Sequence, residues 1–84
     1  MVQNTPETFM QRAFELAGEA ARVGEVPVGA VVVRNGEIVA EARNEKESSG
    51  QATHHAELLA IEKASEILGR WRLTDCDLYV TLEP

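Results

Sequence analysis

His55 and Glu57 stand two residues apart at the head of a segment with helical spacing. Neutral imidazole is a common zinc ligand, and a carboxylate beside metal-activated water can take its proton and later deliver it. A catalytic zinc wants three protein ligands and one open position, so this pair supplies part of a site. Residues two apart on a helix point away from each other. His55 and Glu57 therefore converge on one metal only if it lies off the helix end. The positive end of a helix disfavours imidazolium, which suits a ligand there. Thr53 reads as the helix cap, placing His55 in the first turn. An isolated H-A-E is more often a solvated surface pair, and the adjacent His54 adds little because neighbouring helical residues diverge. What surrounds the pair decides its meaning.

Five elements position it. Thr5-Pro6 is a helix start with a hydroxyl cap and a proline in the first turn. Phe9, Ala13, Leu16, Ala17 and Ala20 then recur at helical spacing, and Gly24 ends the run. Val28 to Arg34 contains Ala30-Val31-Val32-Val33, the pattern of a strand buried on both faces. Asn35-Gly36 signals a two-residue hairpin, and Glu37 to Arg43 returns as a second strand. A polar loop runs from Asn44 to Ala52 and contains Ser48-Ser49-Gly50. The second helix follows, with Leu58, Ile61, Ala64 and Leu68 as its expected apolar stripe and Gly69 as its stop. Leu78, Val80 and Leu82 alternate as a third strand. The order α-β-β-α-β describes an α/β sheet with helices on both faces.

Composition narrows the class. The 84 residues are 44% hydrophobic and 26% charged, ordinary for a globular chain and unlike a disordered one. A chain this short has difficulty burying a comfortable core alone. The formal charge of −6 argues against nucleic-acid binding by bulk attraction, so a polyanionic partner would need a local basic patch. The single cysteine, Cys76, permits no internal disulfide and suits a reducing compartment. It reads as a small, partly buried residue rather than a ligand. No apolar run reaches membrane-spanning length and no signal-peptide layout opens the chain, so a cytoplasmic location is expected. Trp71 between Arg70 and Arg72 reads as a packing anchor with flanking surface charge, with RNA stacking as the alternative.

Several segments together carry a resemblance. Glu25-Val26-Pro27-Val28-Gly29-Ala30, Asn35-Gly36, Ala42-Arg43-Asn44, His55-Ala56-Glu57, Trp71-Arg72-Leu73 and Leu78-Tyr79-Val80-Thr81-Leu82-Glu83-Pro84 resemble the tRNA-specific adenosine deaminases of the cytidine-deaminase superfamily. That family carries an H-x-E followed by P-C-x-x-C, with one His and two Cys on zinc and the Glu as proton carrier. The resemblance implies the first α-β-β-α-β part of a three-layer α-β-α sandwich. It implies Zn2+ as cofactor, His55 as metal ligand and Glu57 as proton shuttle. Asn44 would hydrogen-bond the flipped-out base, Val28 and Leu82 would line the base pocket, and Glu83-Pro84 would shape the turn to the cysteines. The implied reaction is hydrolytic deamination of the wobble adenosine in a tRNA anticodon loop to inosine, by a homodimer. His54 is expected at the surface or the substrate edge.

The two cysteines of the signature would follow Pro84, so the chain is expected to be the N-terminal portion of one deaminase domain, 1–84. Two other functions compete. One is a related deaminase of a free base or nucleoside. The other is a non-catalytic fragment or split half whose role is association with a complementary C-terminal chain. Because His55 alone cannot replace three ligands, the isolated chain is expected to be inactive, and its last strand to expose an unpaired edge.

Overall fold

The computed structural model describes residues 5–46, 51–70 and 72–81. Helix α1 (Pro6–Arg22) starts as its sequence dictates: Thr5 is extended and its hydroxyl accepts from the Thr8 N–H at 3.2 Å, with Pro6 in the first turn. Its buried residues are Phe9, Ala13, Leu16, Ala17 and Ala20, the face read from spacing. Gly24 closes the helix in a left-handed conformation, its N–H donating to the Ala21 carbonyl at 3.0 Å.

Strands β1 (Gly29–Arg34) and β2 (Glu37–Arg43) form the antiparallel hairpin. Asn35 and Gly36 both have positive φ, 52° and 76°, as a type I′ turn demands. Helix α2 (Ala52–Leu68) then crosses to β3 (Cys76–Val80), which pairs antiparallel with the other edge of β1. The sheet order is β2-β1-β3. Alternate residues of the central strand serve opposite layers. Val31 and Val33 pack with Phe9 and Leu16 of α1, while Val28, Ala30 and Val32 pack with α2. Ser48-Ser49-Gly50, Trp71, Leu82, Glu83 and Pro84 lie outside the described residues.

Two expectations for α2 are corrected. Gln51, already in a right-handed helical conformation, is the N-cap and offers no side-chain bond. Thr53 therefore lies inside the first turn, because the backbone has become helical before it is reached. The buried stripe is Ala52, Ala56, Ala60 and Ala64, not Leu58, Ile61, Ala64 and Leu68. Residues four apart stack on one face, and four alanines let the helix approach the small side chains Ala30, Ala40 and Ala42 closely. Leu58 and Ile61 are left 47% and 37% exposed. Ala64 alone belongs to both stripes.

Among the described glycines, Gly29 is the one pressed against a neighbouring element, helix α1. A Cβ on that glycine would stand 2.2 Å from the Ala13 carbonyl oxygen and 2.7 Å from the Leu16 Cβ. No side chain fits between helix backbone and strand. We predict that Gly29→Ala destabilises the chain by about 1–3 kcal/mol in denaturant melts, whereas Gly18→Ala, with no contact shorter than 3.8 Å, does not.

Arg12 of α1 grips β2 through a two-pronged bond to Glu41, Nε to Oε2 at 2.6 Å and Nη2 to Oε1 at 2.9 Å. The guanidinium holds the Glu41 carboxyl below its ordinary value of 4.5. A carboxylate whose folded pKa is depressed stabilises the fold above the unfolded value, and that contribution is lost as pH falls through the folded one. Stability should therefore drop below about pH 4.5. Glu41→Gln should flatten that acid limb by under about 1 kcal/mol, since the pair is partly solvated; thermal melts from pH 7 to 3 read it.

Candidate active site

The start of β1, the end of β2 and the end of β3 are level, because Gly29 pairs with Arg43 and Ala30 with Val80. The other end of the sheet is the Asn35-Gly36 turn. Helix α2 spans the two ends. Its later residues Lys63, Glu66 and Ile67 line one groove with Ile38 to Glu41, and the Lys63 ammonium donates to the Glu41 carbonyl at 3.2 Å. Its first turns consequently lie towards the strand ends where Val28 and Asn44 sit, and Ala52 and Ala56 share one buried cluster with Val28 and Ala42.

Asn44 is fully buried where β2 ends. Its backbone N–H donates to the Val28 carbonyl at 2.9 Å, and its side-chain Nδ2 donates to the Val26 carbonyl at 3.2 Å. The Val26 carbonyl also takes the Val28 N–H at 2.9 Å. A buried amide needs such partners, and here they lock the Val26–Val28 segment to the strand end. Val28 has no exposed surface and packs on the α2 side. His55 and Glu57 are half-buried in the first turns of α2. His54 is 75% exposed, with Nδ1 3.9 Å from Glu57 Oε2, a contact that carries charge only when His54 is protonated.

Of the sequence candidates, the structure joins Val28 directly to Asn44 and sets His55 and Glu57 at the same end of the sheet. Leu82 lies outside the described residues. Sequence reasoning missed two participants: the Val26 carbonyl, for which residue type gives no signal, and Thr81, whose hydroxyl accepts from the Gly29 N–H at 2.9 Å. A lone glycine in a β-branched run was the available clue to the second. Cys76 opens β3, where burial pushes its thiol up. Beside it Asp75 accepts from Arg70 and from Arg34, and Arg70 above all holds its carboxyl at about 2. Arg70 is thus committed to an ion pair.

The donors fit zinc in part. His55 offers an imidazole and Glu57 a carboxylate near the helix end, but among the described residues no group of three His, Cys, Asp or Glu side chains could hold a metal. No described helix is long and apolar enough to cross a membrane.

Comparison with known proteins defines the class. Residues 3–84 match the family described as the cytidine and deoxycytidylate deaminase zinc-binding region, and the chain belongs to that family of hydrolytic deaminases. Among similar proteins, the tRNA-specific adenosine deaminase of Bacillus subtilis is 50% identical over 78 residues, covering 93% of this chain and 48% of that protein. The guanine deaminase of the same organism is 47% identical over 79 residues, covering 93% and 51%. A solved guanine deaminase from Bacillus subtilis superposes with a TM-score of 0.79 at 45% identity over 95% of this chain and 52% of its own. A structure from a study of A-to-I editing by tRNA:A34 deaminases gives 0.79 at 44% identity, covering 93% and 56%. The chain spans about half the length of the curated relatives it matches.

With His55 the one imidazole expected on the metal, the chain by itself should retain far less than stoichiometric zinc after dialysis against a mild chelator, and His55→Ala should abolish what remains. Stoichiometric zinc in the dialysed chain would contradict the ligand assignment.

Proposed function

We propose that this chain carries the base-binding and proton-transfer half of a zinc-dependent deaminase that converts the wobble adenosine of a tRNA anticodon loop to inosine. The observation that supports it is that buried Val28, bonded to Asn44, shares one apolar cluster with Ala52 and Ala56, the α2 residues that flank His55 and Glu57 in the chain. The names of the tRNA-specific relatives supply the substrate. His55 is the imidazole ligand. Two cysteine thiolates, from a segment following Pro84 or from a complementary chain, complete the set. Zinc held there would supply a Lewis acid that makes water easier to deprotonate.

The chain's own residues do the rest. The Glu57 carboxylate takes a proton from the attacking water and delivers it to the departing amine, which leaves as ammonia. Asn44, held rigid by the Val26 and Val28 carbonyls, reads the edge of the flipped-out base. Val28 and Leu82 are the apolar residues that line the base pocket. The acidic chain leaves contacts with the tRNA backbone to basic residues elsewhere in the complete protein, a cytoplasmic homodimer.

The complete zinc-loaded protein tests this. Glu57→Ala should keep its zinc and lose at least about 100-fold in turnover, while His55→Ala loses both metal and activity. Asn44→Ala should cost about 1–3 kcal/mol in base binding on an anticodon stem-loop. A second reading has specific support in the 47% identity to a guanine deaminase. Ammonia release from free guanine, with none from the stem-loop, would replace the adenosine reading by that one.

A further inference from the structure

Thr81, which takes no part in the chemistry just described, follows β3 and is buried. Facing residues of a hydrogen-bonded antiparallel pair normally exchange two backbone bonds. Between Gly29 and Thr81 only one of these forms: the Thr81 N–H donates to the Gly29 carbonyl at 2.9 Å. The Gly29 N–H donates instead to the Thr81 hydroxyl, also at 2.9 Å. That oxygen lies 3.5 Å from the Gly29 carbonyl and faces back onto the same residue. The side chain thus stands in for the carbonyl of Thr81.

Gly29 cannot move to compensate. Its other side is pressed against the backbone of α1 at Ala13 and Ala17. Val28 is its immediate neighbour, with its carbonyl fixed by the Asn44 N–H. One hydroxyl therefore couples the start of β1, next to Val28 and its partner Asn44, to the end of β3.

We infer that Thr81 is a positioning residue for substrate binding: its hydroxyl, by replacing a strand carbonyl at Gly29, fixes the start of β1, and with it Val28, against the end of β3. This rests on the base-binding role proposed for Val28 and Asn44. Thr81→Val keeps the shape and removes the acceptor, Thr81→Ala removes the acceptor and shrinks the side chain, and Thr81→Ser restores a hydroxyl.

The experiment has two independent arms. Amide exchange by NMR in the chain itself should show Gly29 about tenfold less protected in Thr81→Val and Thr81→Ala, with Val31 and Val33 unchanged and Thr81→Ser like the parent. In the complete zinc-loaded protein, KM for whichever base is deaminated should rise about tenfold in the Val and Ala variants, with kcat changed much less and Thr81→Ser restoring KM. Unchanged Gly29 protection in Thr81→Val would overturn the inference. So would lost protection with unaltered KM, which would make the bond merely structural. Should Val and Ala fail to fold, a Ser variant that folds without parental Gly29 protection and KM overturns it equally. Activity on guanine alone would remove the tRNA reading and leave both arms readable.

Discussion

The fold depends on how closely helix α1 lies on the start of β1. At Gly29 the helix backbone occupies the space where a side chain would stand, with the Ala13 carbonyl and the Ala17 amide against the strand. Everything at that end of the sheet is referred to this contact. The Gly29 carbonyl receives Thr81, the Val28 carbonyl receives Asn44, and the Val26 carbonyl receives both Val28 and the Asn44 side chain. Each of these carbonyls is engaged, which satisfies the buried backbone at the strand start. The Arg12–Glu41 clamp ties α1 to β2.

The opposite layer follows a different rule. Helix α2 meets the sheet through alanines, and small side chains on both surfaces bring its axis close to β1 and β2. Its first turns are thereby held at the strand ends, carrying His55 and Glu57 with them. Close packing on one face leaves Leu58 and Ile61 on another, while on the sheet β3 pairs with β1 on one side only among the described residues. A helix apolar on two sides and a one-sided strand fit a chain that matches about half of its relatives' length.

Much of this was legible from residue type and spacing. Thr5-Pro6, the Phe9-to-Ala20 face, the Asn35-Gly36 turn and the doubly buried β1 all have local causes, and the structure reproduces them. The buried side of α2 did not emerge, because a helix rich in Ala, Leu and Ile is apolar nearly all round. Periodicity then favours the largest side chains, whereas the tightness of the sheet favours the smallest. The Thr53 cap failed for a related reason: hydroxyl chemistry marks a candidate start, but helical backbone already at Gln51 overrules it. For the candidate site, family-like neighbours single out Asn44, His55 and Glu57 in the sequence. The carbonyls that fix Asn44 carry no such signal, since any residue has one.

The proposed function requires His55 and Glu57 to face one metal position, with Val28 and Asn44 beside it at the same end of the sheet. Cobalt(II) in place of zinc in the complete protein would test it most directly, through paramagnetic relaxation of this chain's amides. Broadening should be strongest at His55 and Glu57, extend to Asn44 and Val28, and be absent at Asn35-Gly36 and Lys63. Broadening centred on the hairpin turn or on Cys76, with the first turns of α2 unaffected, would contradict the account.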